Sequence, residues 1–425
     1  MEDARYYYQG GFHPIHTGDQ FKRGQYIVVH KLGHGRFSTV WLAEDLNTQT
    51  YVALKVLAAD VAGWSGNLNG VSEEIQVFSR LRDGVEEPGK ECVVRFLDHF
   101  VHHGPNGEHH CIVTELLGPC LSSDIEELYP TEIFPAAISR AIIRQIADAV
   151  RFLHRNHIVH GDLHLGNILL TSPKLSSLSH DDITLYYGEV AKCAVNYGVD
   201  GIGEPPHAPQ YIVDTPDPTP LLKLCLRNPA DVRIKVCDFS ESSVITASTR
   251  PKTINMPYIY RAPEVVLKKP SAPAFSAEIW ALAVLFHCVS TGRRPVFQAG
   301  GLPQSEDELL KNIVLQLGKL PEPLWSAWDK RTEYFDEKGR SLDKSTKDTH
   351  SLRYRNTLIC EEERVLFERM IQAMLVLEPE KRVTINDVVK SEWFVKYLQG
   401  PSTMQERACM CYPSRKGGDS TGTAS

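Results

Sequence analysis

The stretch Ile158-Val159-His160-Gly161-Asp162-Leu163-His164-Leu165-Gly166-Asn167-Ile168-Leu169-Leu170 decides the fold of this chain, because it sets an Asp and an Asn five positions apart in a polar loop between two apolar stretches. That spacing fits a phosphoryl-transfer catalytic loop. Moving a γ-phosphoryl group requires one carboxylate to accept the nucleophile's hydroxyl proton, and an Asp carboxylate plus an Asn amide oxygen to hold Mg²⁺ against the phosphates. Far downstream, Val232 to Cys237 alternates apolar residues as a strand does and delivers Asp238-Phe239-Ser240 to its end. On this reading Asp162 is the general base, and Asn167 and Asp238 are the metal-binding pair.

Upstream residues supply the rest of such a site. Leu32-Gly33-His34-Gly35-Arg36-Phe37-Ser38-Thr39-Val40 lies between two predicted strands, and its glycines allow a tight hairpin whose amides approach phosphate oxygens free of Cβ. Alone it is weak evidence, since an ordinary Gly-containing hairpin reads the same way. The next strand, Tyr51 to Leu57, puts Ala53 and Lys55 on one face. A mid-strand lysine between apolar residues calls for an anionic partner, because an unpaired buried ammonium is costly; the alternative is an edge lysine reaching water. Val71 to Leu81 reads as a helix whose apolar face carries Val71, Ile75, Phe78 and Leu81, with Glu74 near its middle and Glu73 opposite. Glu74 is therefore the expected partner of Lys55, aiming the ammonium at the α- and β-phosphates.

With 425 residues, the chain is long enough for two lobes plus insertions. A net charge of -7 without a Lys/Arg tract argues against a nucleic-acid-binding domain and favours a basic partner. The ten cysteines show no CxxC pairing and suit a reducing compartment, with Cys409 and Cys411 read as free thiols. No apolar run is expected to reach the roughly 18 residues of a membrane span, and Met1-Glu2-Asp3 does not open a signal peptide. A cytoplasmic or nuclear protein is expected, without membrane contact.

Residues 1–25 read as an extended lead-in, 26–118 as a small β-rich lobe with one helix, 119–395 as a larger, mainly helical lobe, and 396–425 as a disordered tail. In the first lobe, three antiparallel strands span Tyr26 to Leu57, and two more, Val93 to His102 and His110 to Leu116, flank the turn Gly104-Pro105-Asn106-Gly107. Helical spacing links Ile138, Ile142, Ile146, Ala149 and Leu153, and returns in Ser276 to Thr291 and Cys360 to Leu377. The Ser-, Pro- and Gly-rich stretch 171–230 reads as an insertion or partly disordered spacer.

Between Ser240 and Glu264 a loop with Ser, Thr and Pro ends in Tyr260-Arg261-Ala262-Pro263-Glu264, as a substrate-docking segment would, and Arg382 is the candidate cation for a buried Glu264. Three features have plain structural readings. His99, His102, His103, His109 and His110 surround the Pro-Asn turn and are expected at a solvated hairpin tip more readily than at a metal; the acidic run 305–308 fits a helix N-terminus; Cys237 fits a packing residue better than a reactive thiol.

In this order, the glycine loop, strand lysine, helix acid, catalytic loop, metal-binding Asp, Ala-Pro-Glu box and late Arg382 resemble a eukaryotic protein kinase from about Gly24 to Phe394. The Tyr260 to Glu264 box and an insert after Gly318-Lys319-Leu320-Pro321 are similar to the group holding cyclin-dependent, mitogen-activated and SR-protein kinases. Gly10-Gly11-Phe12-His13-Pro14, Gly18-Asp19, Gly35 to Trp41 and the break between catalytic loop and Asp238 resemble SR-protein kinases. The resemblance implies a bilobal α+β kinase fold and a monomeric serine/threonine kinase that uses ATP and Mg²⁺ on Arg/Ser-rich proteins. It also implies a nucleotide site of Leu32, Gly33, Gly35, Ser38, Val40, Ala53, Lys55 and Leu169, with Thr114 as gatekeeper and Glu115 to Leu117 as the adenine-binding hinge. Lys55, Glu74, Asp162 and His164 would be catalytic, His164 standing where a lysine normally meets the γ-phosphate. Gly161 replaces the arginine that receives an activation-loop phosphate, so activity without loop phosphorylation is expected. Ser240 replaces a glycine, and Glu278 an Asp that braces the catalytic loop. These departures suggest a pseudokinase scaffold as the alternative; a small-molecule phosphotransferase shares the His160 to His164 pattern but would lack the Ala-Pro-Glu segment.

Overall fold

The computed structural model describes residues 1–60, 70–84, 86–198, 201–246, 256–268, 274–298, 302–343 and 360–398. The expected tail beyond 398, with Cys409 and Cys411, and much of the loop before Tyr260 lie outside them.

Strands β1 (Gln20–Phe21), β2 (Tyr26–His34), β3 (Ser38–Asp45), β4 (Thr50–Leu57), β5 (Phe96–Gly104) and β6 (Gly107–Glu115) form one sheet in the order β1-β2-β3-β4-β6-β5. Every pairing is antiparallel, and Gly104 faces Gly107 across a two-residue turn. Because side chains alternate along a strand, the sheet has two unlike faces. One receives helix α1 (Gly70–Asp83), whose Val77, Phe78 and Leu81 pack with Leu42, Leu57, Phe96 and Ile112. The other carries Val28, Trp41, Leu54, Val56, Cys111 and Val113.

That second face corrects three expectations. Residues 1–25 are not a bare extended lead-in: they contain a 3-10 turn at Ala4–Tyr6 and the sixth strand, β1, and they bury Tyr7, Phe12, Ile15 and Phe21. Of the two readings of 171–230, an insertion or a partly disordered spacer, the spacer is the one corrected. The segment holds helices His180–Tyr187 and Thr219–Cys225 and a ribbon of Lys192–Ala194 against Tyr211–Val213, whose Tyr211 and Val213 pack on the outer sheet face. Of the five histidines only His103 is exposed as a solvated hairpin tip would have it. His109 is fully buried with Nδ1 on the Leu57 carbonyl at 2.8 Å, His99 and His110 stack, and His13 from the lead-in lies against His102 and His109 at ring distances of 4.5 and 4.9 Å. Apolar periodicity could not reveal this, because the covering residues are distant in the chain and individually irregular.

The larger lobe is built on helix α2 (Ala136–Arg155), whose Ile138, Ile142, Ile146, Ala149 and Leu153 are all fully buried. Against it lies helix Ala274–Thr291, an 18-residue helix with mean hydropathy 1.4, so the expectation that no run reaches membrane-spanning length is corrected. It is 78% buried inside the lobe and reads as a core helix. The acidic run starts helix Glu306–Leu317, with Ser305 as N-cap. Arg382 Nη1 donates to Glu264 at 2.8 Å and to the Ser276 carbonyl at 2.7 Å, so this fully buried pair ties the Ala-Pro-Glu box to the core. The last described helix, Glu392–Leu398, runs into what the sequence reads as tail.

Candidate active site

Two short ribbons set the geometry. Ile158–Val159 pairs with Ser243–Val244, and Ile168–Thr171 pairs with Arg233–Val236, with Ile168 opposite Val236. The loop between the first strands of these ribbons is therefore clamped at both ends, and Asp238 emerges beside it two residues beyond Val236. The Cys237 amide donates to the Asn167 carbonyl at 2.9 Å, and His160 Nε2 lies 2.9 Å from the Cys237 carbonyl. Residues 70 and 77 positions apart are thus brought side by side by hydrogen bonds to the backbone.

Within the loop, Asn167 Nδ2 donates to the Asp162 carbonyl at 2.9 Å and to Asp162 Oδ2 at 3.0 Å. Since the amide nitrogen faces Asp162, the amide oxygen is the group left for a cation. Asp162 Oδ1 is buried and has no hydrogen-bond partner among the described residues. A buried orphan acceptor is costly unless a ligand completes it. From the sheet, Lys55 Nζ lies 2.9 Å from both Glu74 Oε1 and Asp238 Oδ1. Burial works to lower the Lys55 pKa, but the Asp238 and Glu74 carboxylates outweigh it and hold the ammonium above its ordinary value. Burial likewise raises Asp238, yet Lys55 keeps that carboxyl well below the usual range. Asp238 has a left-handed backbone, φ +60, which a non-glycine residue adopts only when its surroundings enforce it.

Glu278 spans what a shorter acid would have to reach. Its Oε1 accepts the His160 amide at 2.7 Å and the Gly161 amide at 3.1 Å, while Oε2 lies 2.6 Å from His154 Nε2. The brace is present with a longer side chain. Gly161 has φ +80, and a Cβ there would sit 2.5 Å from the Glu241 carbonyl oxygen, so the arginine expected in other kinases has no room.

The remaining residues of the expected nucleotide site lie on the sheet's cleft side or beneath it. Gly33 faces Val40 across a register shift in β2 and β3, and the Gly35 amide donates to the Ser38 carbonyl at 2.8 Å. A Cβ on Gly33 would meet no heavy atom within 4 Å among the described residues, so that strand lies open to an approaching ligand. Ala53 pairs with Thr114 in β4 and β6, Leu117 is buried after β6, and Leu169 bridges to Cys120 on the opposite wall. The Glu115 carboxylate is bound to Lys235 at 2.9 Å and to the Arg95 amide at 2.7 Å, and the Glu115 amide donates to the Arg95 carbonyl at 3.0 Å.

Sequence reasoning missed an aromatic column joining the lobes. Phe96 stacks on Phe78 at 5.1 Å, Phe78 meets Phe239 at 5.4 Å, and Phe239 meets His160 at 5.0 Å. Phe78 and Phe239 were legible as an apolar helix position and as the residue after Asp238, but only folding stacks them. Cys237 is half-buried with its thiol pushed well above the ordinary pKa by burial, as a packing residue rather than a nucleophile.

This geometry can be compared with known proteins. The protein kinase domain matches residues 26–179 and 224–394, and the gap between the two blocks falls within the inserted segment. The chain is 29% identical over 399 residues to Serine/threonine-protein kinase SRPK of Physarum polycephalum, covering 91% of this chain and 89% of that protein. It is 40% identical over 171 residues to Protein kinase dsk1 of Schizosaccharomyces pombe, covering 40% of this chain and 30% of that one. Against SRSF protein kinase 3 of Homo sapiens it is 38% identical over 174 residues, 40% of this chain and 29% of that protein. The match thus spans under a third of the length of the last two relatives. The chain belongs to the protein kinase domain family, and the relatives it matches are SR-protein kinases.

Proposed function

We propose that the protein is a serine/threonine protein kinase that transfers the γ-phosphoryl of Mg²⁺-bound ATP to hydroxyls of basic, Arg/Ser-rich proteins. The observation that carries this reading is the Asp162 carboxylate, held through Oδ2 by the Asn167 amide in a loop that lies against Asp238. A carboxylate held in one orientation suits a base that receives a hydroxyl proton. Asp238 and Asn167 offer the oxygen ligands that Mg²⁺ prefers, and Mg²⁺ when bound neutralises charge on the phosphates. Lys55, fixed by Glu74, is the cation that orients the phosphates, and the backbone from Glu115 to Leu117 holds the adenine. Gly161, with no room for a side chain, supports activity that does not wait on activation-loop phosphorylation. The net charge of -7 and the names of the relatives support a basic, Arg/Ser-rich substrate.

The test is phosphate incorporation into an Arg/Ser peptide with Mg²⁺-ATP, comparing the wild-type chain with Asp162→Ala and with an EDTA-treated sample. Robust labelling by wild type alone is expected. Equal incorporation by Asp162→Ala would end the assignment, and persistence in EDTA would end the metal requirement.

A further inference from the structure

The His164 imidazole is held in one orientation and one tautomer. The Gly166 amide donates to Nδ1 at 3.0 Å, so Nδ1 carries no proton and Nε2 does. Nε2 lies 3.3 Å from Asp162 Oδ2. Gly166 is what lets the ring sit there: a Cβ at that position would come within 2.7 Å of His164 Cε1 and 2.9 Å of Nδ1. Tyr260 flanks the ring with centroids 6.1 Å apart. The two oxygens of Asp162 are consequently unlike. Oδ2 accepts from the Asn167 amide at 3.0 Å and lies 3.3 Å from His164 Nε2, while Oδ1 is buried and has no partner among the described residues.

From this asymmetry, and on the kinase reading above, we propose that His164 is a positioning residue acting through Asp162, and not a replacement phosphate contact. The Asn167 amide on Oδ2 fixes the carboxylate's rotation, and the His164 ring is held with Nε2 beside that same oxygen. In the reaction the acceptor oxygen forms a bond to the γ-phosphorus, the bond from that phosphorus to the bridging oxygen breaks, and the electron pair leaves on ADP. The hydroxyl proton goes to the Asp162 carboxylate. His164 neither gains nor loses a proton in this step. At 3.3 Å Nε2 and Oδ2 are close but not aligned as a hydrogen bond, and catalytic contacts of this kind tighten when the reacting hydroxyl engages.

The roles differ in what they require. A phosphate contact would be served by a cation at position 164, whereas positioning requires a donor where Nε2 sits, which a glutamine amide reproduces. Kinetics of peptide phosphorylation by the full chain carrying His164→Ala, His164→Gln or His164→Lys separates them. On our proposal His164→Ala lowers kcat by about 10- to 100-fold, a fraction of what a general base contributes, with KM for ATP within about 2-fold of wild type. His164→Gln recovers most of the loss and His164→Lys does not. An unchanged kcat in His164→Ala, a rise in KM for ATP with kcat preserved, or equal failure of Gln and Ala would each overturn it. The imidazole ¹⁵N pattern of His164 provides a readout that needs no turnover: a protonated Nε2, an acceptor Nδ1 and a shift of the Nε2 signal in Asp162→Asn are expected. An Nδ1-protonated ring would overturn the inference even in an active enzyme. If the wild type itself fails to label any peptide, the kinase reading falls while the ring pattern still decides the tautomer and its contact with Asp162.

Discussion

Lys31 and Lys55 stand on the same sheet, both paired with carboxylates, and they serve opposite ends. Lys55 projects into the cleft, 17% exposed, between Glu74 and Asp238, and its two anions raise its pKa above normal. Lys31 projects to the outer face, wholly buried, where Glu2 of the lead-in pairs with it, Trp41 lies under its ammonium at 4.8 Å and burial lowers its pKa. Tyr7 completes the outer arrangement by donating to Glu2 at 2.5 Å. The difference teaches that a buried lysine acquires its role from its surroundings. In the cleft one of its carboxylates is free to exchange it for a ligand; on the outer face the anion belongs to a segment that the pair pins down.

The sharpest attempt to break this comparison substitutes each lysine by Met. Lys55→Met is expected to lower kcat by about 10²- to 10³-fold, the scale of lost preorganised charge stabilisation, with the lead-in still protected from hydrogen exchange. Lys31→Met should change kcat by less than about 3-fold and release residues 1–15 to exchange, because an orphaned Glu2 costs about 3–5 kcal/mol if it stays buried. Restored protection in a Glu2→Gln/Lys31→Met double variant would sharpen the assignment; a large kcat loss in Lys31→Met would break it.

Gly161→Ala tests the cleft side alone. A forced positive φ costs about 1–3 kcal/mol, and displacing the Glu241 carbonyl adds to it, so kcat should fall about 10- to 100-fold while lead-in exchange is unchanged. Glu278→Gln keeps the side chain's length but removes its charge from the two loop amides and His154, and should cost about 1.5–3 kcal/mol in chemical denaturation, the scale of hydrogen bonds to charged groups. A denaturation midpoint equal to wild type would show the brace to be dispensable.

The smallest effect belongs to the outer face and to pH. Burial, with His109, His102 and His16 nearby, lowers His13 from 6.5 to about 3. A docked segment that keeps His13 neutral binds fewer protons than the undocked one between those values. Its stability is therefore complete above pH 6.5 and declines as pH falls toward 3, by at most about 1.4 kcal/mol per unit. Hydrogen exchange of residues 10–16 should quicken between pH 7.5 and 5.5, and the pH dependence should vanish in His13→Phe. An identical response in His13→Phe would assign the acid sensitivity elsewhere.

Much of the cleft was legible because its chemistry is local or periodic. Asp162 and Asn167 share one short loop, Glu74 falls on a predictable helix face, and Lys55 sits mid-strand among apolar residues. Glu264 and Arg382 were paired across 118 positions because a buried acid needs a cation. The outer face was not legible. Glu2, Tyr7, His13 and the 211–213 strand cover it from irregular segments whose apolar residues follow neither period 2 nor period 3.6. The histidines misled for the same reason: a hairpin tip is ordinarily solvated, and only another part of the chain could bury it.

The amino-acid sequence alone determined which groups could do phosphoryl-transfer chemistry and on which element each would ride, because residue type, spacing and hydrophobic period act over short range. Tertiary structure decided how those groups are partnered: that Glu278 is long enough to brace the loop, that Gly161 admits no side chain, that His164 faces Asp162, and that two lysines of one sheet differ in kind. Such outcomes depend on distances of a few ångströms between residues far apart in the chain, and those distances exist only once the two lobes and the segments covering them have packed.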